Sequence, residues 1–168
     1  MKKLAFLFIA IAGFAVTSNA QVSATAASSA TIITPIAIAK TADLNFGNLA
    51  VSPTVAGTVV LSPSATRTPS GGVTLPAVTG TVSAASFTVT GLGTSTFAIT
   101  LPGTITLSDV GLLHTMSLGS FTSTPSSTGT LAAGSATVTV GGTLTVAAAQ
   151  AAGTYTNAAG LSVTVNYN

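Results

Sequence analysis

The sequence predicts an all-β protein folded as a sandwich or barrel of antiparallel sheets, and three observations carry that prediction. Thr and Val dominate, while the strong helix formers Leu, Glu, Lys, Gln and Arg do not recur at the 3.6-residue spacing of a helix. Short apolar runs are broken at close intervals by Gly, Pro and Ser, the punctuation of short strands and turns. The stretch "GLSVTVNYN" alternates Leu161, Val163, Val165 and Tyr167 with Ser162, Thr164 and Asn166, which is the period of a half-buried strand.

In chain order, residues 1–20 come first. Lys2 and Lys3 precede an apolar run from Leu4 to Val16 and then "TSNA", the layout of a secretory signal peptide cut after Ala20. The run is shorter than the roughly 20 residues that span a bilayer, so an anchor is the weaker reading. The expected product is secreted and extracellular or surface-bound. Residues 21–29 are read as an N-terminal extension and 30–168 as the β-sandwich domain.

Within the extension, Val22, Ala24, Ala26 and Ser28 alternate with Gln21, Ser23, Thr25 and Ser29, and the parity continues through Ile32, Ile36 and Ile38. A small-to-apolar face thus runs upstream of the first firm strand. The alternative is a disordered leader, since Ala and Ser are weak strand formers.

Strands are expected at 30–39, 44–50, 57–62, 72–78, 86–90, 97–101, 104–107, 113–121, 136–146 and 161–167. In "ATVTVGGTLTV" Gly141 and Gly142 make either a two-residue hairpin turn or a bulge, because the parity of Val138, Val140, Leu144 and Val146 survives across them. "VAAAQAA" at 146–152 is the one candidate helical turn, and equally a strand end and loop. Thr-x-Thr triplets recur at irregular intervals, which suits exposed strand faces and not a solenoid. The last strand ends at once after its final apolar position. Its free edge would bare unpaired N–H and C=O groups, which natural proteins cover or blunt.

Charge narrows the function. Lys and Arg total 4 and Asp and Glu total 2, but Lys2 and Lys3 belong to the signal peptide. The mature chain keeps Lys40 and Arg67 against Asp43 and Asp109, a net charge of zero. Two separated cations cannot neutralise a phosphate backbone, so no nucleic-acid partner is expected. Near-neutrality favours association between copies. Cys is absent, which removes disulfides, thiolate chemistry and lipoprotein processing.

Chemistry is equally sparse. His114 lies five residues after Asp109, with Ser108, Ser117 and Ser120 nearby, so a Ser-His-Asp triad can be drawn on paper. No G-x-S-x-G elbow supports it, and one His with two Asp makes a poor metal site. "GLGTST" at 91–96 lacks the last Gly of a dinucleotide fingerprint. The sequence nominates no enzyme activity, no cofactor, and no catalytic or metal-ligating residue.

Several local patterns carry a resemblance. "ADLNFGNLA" at 42–50 is similar to a segment of the spore coat protein U family and of archaic chaperone–usher pilins. "ASFTVTGLGTSTFAITLP" (85–102), "HTMSLGSF" (114–121), "LAAGSATVTVGGTLTVAAAQAAGTY" (131–155) and the terminal "VTVNYN" look like the secreted family catalogued as domain of unknown function 4402. Together they cover nearly all of the mature chain.

The pilin likeness implies an immunoglobulin-like sandwich that is incomplete and closed by a donor strand from a neighbouring subunit. It implies a homopolymer of identical subunits, served before assembly by a periplasmic chaperone and an outer-membrane usher. On that reading Val22, Ala24 and Ala26 belong to the donor strand. Leu161, Val163, Val165 and the penultimate Tyr167 form the acceptor edge. Many such pilins carry a disulfide, which this chain cannot. The competing expectation is a monomeric secreted sandwich that binds carbohydrate or another surface ligand. A membrane barrel fits less well, because Trp is absent and aromatics are 5% of the chain.

Overall fold

Alternating Thr with Val, Phe and Ile sets which face of each strand is buried, and the protein is all-β with no helix among the described residues. The computed structural model describes residues 21–157 and 159–168. The chain divides into two units, Met1–Ile32 and Ile33–Asn168. In the first, residues 21–32 form no strand and are exposed. The predicted signal peptide lies outside the described residues.

The second unit holds twelve strands: β1 (Ala37–Ala42), β2 (Ala50–Val51), β3 (Gly57–Leu61), β4 (Arg67–Gly71), β5 (Val73–Thr74), β6 (Ala85–Thr90), β7 (Thr96–Thr100), β8 (Ile105–Ser108), β9 (Thr115–Thr124), β10 (Thr128–Thr130), β11 (Ser135–Val146) and β12 (Thr164–Tyr167). A seven-stranded sheet follows the order β1-β6-β11-β3-β4, with β9 also on β11 and β8 on β9. A three-stranded sheet runs β10-β7-β12, and β2 pairs with β5. Every pairing is antiparallel, and the sheets form a curled half-barrel.

The 12-residue β11 is the axis. Along one edge its first half pairs with β6, Ser135 to Val140 against Thr90 to Ala85, and its second half with β3, Gly142 to Val146 against Leu61 to Gly57. The other edge carries β9. The strand is continuous through Gly141 and Gly142, so they are not a hairpin turn. Nor is the extra residue theirs: Gly141 and Thr143 face Thr122 and Gly119, which puts the bulge in β9, near Ser120 at φ 46°. The glycines are needed for space. A Cβ on Gly141 would stand 2.0 Å from the Leu61 carbonyl oxygen, and one on Gly142 would stand 2.9 Å from the Phe121 ring.

Several expected elements move. The strand read at 30–39 begins only at Ala37, because Pro35 offers no N–H to a ladder. The strand read at 44–50 is reduced to one bridge, Asn45 with Ser83, and the short β2. Gly47 at φ 67° turns the chain out of register. The strand read at 72–78 shrinks to β5, while β4 and β10 went unread. The last strand starts at Thr164, not at 161. "VAAAQAA" resolves as a strand end and turn.

Two apolar clusters result. The first joins Ala85, Phe87, Val89, Phe97, Ile99, Leu131, Val138, Val140 and Val165, so both larger sheets contribute. The second joins Phe46, Val59, Leu61, Val73, Leu118, Leu144 and Val146.

Candidate functional site

Beside the second cluster the fold stays open. A groove of about 1130 Å³ is floored by Ile105, Leu107, Met116, Leu118, Leu144 and Val146, from β8, β9 and the second half of β11. Its two lips are irregular: residues 42–49 on one side, and 150–157 with 159–161 on the other. The volume exceeds what a small-molecule pocket usually needs.

The first lip is built by "NFGN". Asn45 exchanges backbone bonds with Ser83 at 2.8 and 3.0 Å, and its Oδ1 accepts the Gly47 N–H at 2.9 Å. Phe46 is thereby plugged into the second cluster. Gly47 must be glycine, because a Cβ there would meet the Thr79 carbonyl oxygen at 2.3 Å. Arg67 Nη1 donates to the carbonyl oxygens of Phe46 (2.7 Å) and Asn48 (3.0 Å), tying the lip to β4. Lys40 pairs with Asp43. Both cations outside residues 1–20 are therefore engaged within the fold.

The second lip is fastened to the β8–β9 hairpin. Gln150 Nε2 donates to the Tyr155 hydroxyl (2.9 Å) and the Thr115 carbonyl (3.3 Å), and the Tyr155 hydroxyl donates to the Ala151 carbonyl (2.8 Å). Asn157 Nδ2 donates to the Thr106 carbonyl (2.6 Å), while its buried Oδ1 has no hydrogen-bond partner among the described residues. Sequence reading did not find this groove. Its floor lies in the strands expected at 104–107, 113–121 and 136–146, and its lips are loops.

The four expected acceptor residues share one cluster: Val165 belongs to the first, Leu161, Val163 and Tyr167 pack against it, and Leu161 also lines the groove. β12 pairs with β7 alone, so its outer edge pairs with no strand among the described residues. The Tyr167 hydroxyl accepts the Leu92 N–H (2.6 Å) and donates to the Thr34 carbonyl (2.9 Å). Gly91 leaves room for it, since a Cβ there would stand 2.3 Å from that oxygen. The expected donor residues Val22, Ala24 and Ala26 are exposed and lie in no strand.

His114 and Asp109 do meet. Asp109 Oδ2 accepts from His114 Nδ1 at 2.8 Å, and Oδ1 accepts the Leu113 and His114 backbone N–H groups at 2.8 and 3.3 Å. The bond from the His114 ring, with help from both backbone donors, holds the Asp109 carboxyl below its ordinary range. No serine hydroxyl is hydrogen-bonded to His114 among the described residues, so the triad drawn on paper does not assemble. The pair closes a loop. Among the described residues, no three His, Cys, Asp or Glu side chains gather as a metal site.

No curated protein and no solved structure matches the chain. A family model described as "Domain of unknown function (DUF4402)" matches residues 36–167, from just before β1 to Tyr167. With most of its length matched, the chain belongs to that family.

Proposed function

We propose that the protein is a structural subunit of a secreted bacterial surface filament, fimbria- or pilus-like, assembled by strand complementation between copies. The domain is then an incomplete immunoglobulin-like sandwich, and the observation that carries the reading is the groove between two irregular lips, where Ile105, Leu107 and Met116 stay half-buried. Covering apolar surface stabilises by about 25 cal/mol per Å². An added strand would also pair with bare backbone such as the outer edge of β12.

Residues 21–29 of another copy are the occupant this reading selects. They form no strand, they alternate, and Val22, Ala24 and Ala26 present small side chains to shallow apolar sites. Nine extended residues reach roughly 30 Å, the length of a domain edge. A periplasmic chaperone would hold the groove before assembly, and an outer-membrane usher would exchange it.

Deleting residues 21–29 tests this. The variant should keep the wild-type circular dichroism yet sediment as a monomer and form no filaments by electron microscopy. Normal filaments from the variant would rule out the exchange.

A second reading is favoured by the mixed character of the groove, whose lining is nearly half polar and suits a carbohydrate. It makes the protein a monomeric secreted binding module. A monodisperse wild type that binds glycans would select it.

A further inference from the structure

The loop after β8 displays three large aliphatic side chains to water. Val110 is 95% exposed, Leu112 76% and Leu113 81%. Single exposed leucines are ordinary, but three within four residues form a patch.

The display is held in place. Asp109 N–H donates to the His114 carbonyl (3.1 Å) and Leu112 N–H to the Asp109 carbonyl (3.0 Å), besides the three bonds to the Asp109 carboxylate. Leu112 sits at φ 56°, a left-handed conformation unfavourable for a branched side chain. The loop is thus a closed, preset tip whose apolar residues have no cover among the described residues.

From these observations we infer that the 110–113 tip is a docking surface for a lipid bilayer. Two arguments select lipid over another protein. The three side chains offer on the order of 450 Å², about half of one face of a standard protein interface. A few protruding residues need no matching surface to enter the acyl boundary of a membrane.

Charge then selects the kind of membrane. The tip holds no Lys or Arg, its one carboxylate faces His114, and Lys40 and Arg67 are engaged elsewhere. Binding is therefore apolar, indifferent to anionic headgroups and insensitive to salt. This inference does not rest on the filament reading.

Flotation of the purified protein with phosphatidylcholine vesicles tests it, with and without added phosphatidylglycerol, at low and high salt. The wild type should float equally in all four conditions. Leu112→Ser and Leu113→Ser should each lower the partition coefficient roughly tenfold, and the triple variant with Val110→Ser should stay in the pellet. Protein beginning at Gln21 is used throughout, so the apolar run at 4–16 and Lys2 and Lys3 contribute nothing to flotation. Unchanged far-ultraviolet circular dichroism checks the fold.

Because the chain has no Trp, Leu113→Trp gives a clean second readout. Its emission should shift to the blue on adding vesicles. Failure of the wild type to float, or equal flotation of the triple variant, overturns the inference. So does a triple variant that loses self-association while the wild type ignores lipid, which would make the tip a protein contact. The variant lacking 21–29 should still float, which separates this outcome from that of the filament test.

Discussion

The first apolar cluster lies between the two larger sheets; the second lies between the seven-stranded sheet and a cover made of the 42–49 lip and the short β2–β5 pair. Both are lined by the same strand, β11, whose first half contributes Val138 and Val140 and whose second half contributes Leu144 and Val146. In the first, β7 and β12 supply the opposing wall through Phe97, Ile99 and Val165. In the second, the opposing wall is Phe46 on its loop and Val73 on the short β5, and the groove remains. One pattern of alternation therefore yields two equally buried clusters, the first closed by a second sheet and the second with a groove left open beside it, over the half-buried Ile105, Leu107 and Met116. The difference lies in what is laid on top.

The sharpest way to test that contrast is to remove one large side chain from each half. Phe97 is fully buried, and its ring fills the space beside Gly129, where a Cβ would stand 2.3 Å from the ring. Phe97→Ala should destabilise by about 3–5 kcal/mol, measured from the urea midpoint at constant m. Leu107 lines the groove and is only half-buried, so Leu107→Ala should lose about 1 kcal/mol or less. Equal losses would mean that the groove is already filled in the isolated protein. If copies complement one another, Leu107→Ala should weaken the assembled form more than the monomer.

Much of the closed half was legible in the sequence, because period-2 alternation runs unbroken through β6, β7 and β11. Phe87 and Val89 in β6, Phe97 and Ile99 in β7, and Val138, Val140, Leu144 and Val146 in β11 each share the buried face that alternation implies. The open half was read less well. "RTPSG" has no apolar alternation, yet it forms β4 as an edge strand, where Pro69 needs no second partner. "LNFGN" alternates but leaves the ladder at Gly47. The groove itself could not be read, since it depends on where the loops 42–49, 150–157 and 159–161 come to lie. The two bonds of the Tyr167 hydroxyl span 75 and 133 residues, beyond the reach of any local pattern.

Those two bonds supply a middle-sized test. Tyr167→Phe keeps the ring against the first cluster but strips Leu92 N–H of its acceptor and Thr34 of its donor. The expected loss is about 1–2 kcal/mol, with faster amide exchange at Leu92 than in the wild type. Exchange at Val59 and Leu144 should follow only the global change. If their protection fell further than that, the two halves would be coupled through β12.

The smallest effect is expected outside both clusters, at the 109–114 loop. Asp109 accepts three hydrogen bonds there, the His114 ring bond foremost, and its carboxyl titrates below the ordinary 3.8. A depressed folded value means that the charged carboxylate favours the closed loop. That contribution is complete above the unfolded value near 3.8 and is lost as the pH falls through the lower folded value. Protection of the Leu113 amide should therefore be flat from about pH 7 to 5 and fall only at more acid pH, while Val138 keeps its protection through the same range. Asp109→Asn should lower Leu113 protection at neutral pH and remove the acid step, because the carboxamide leaves only one acceptor oxygen and no charge to titrate. A step near neutral pH in the wild type would assign control of the loop to a group other than Asp109. A fall at Val138 together with Leu113 would show that the loop and the closed core open as one unit.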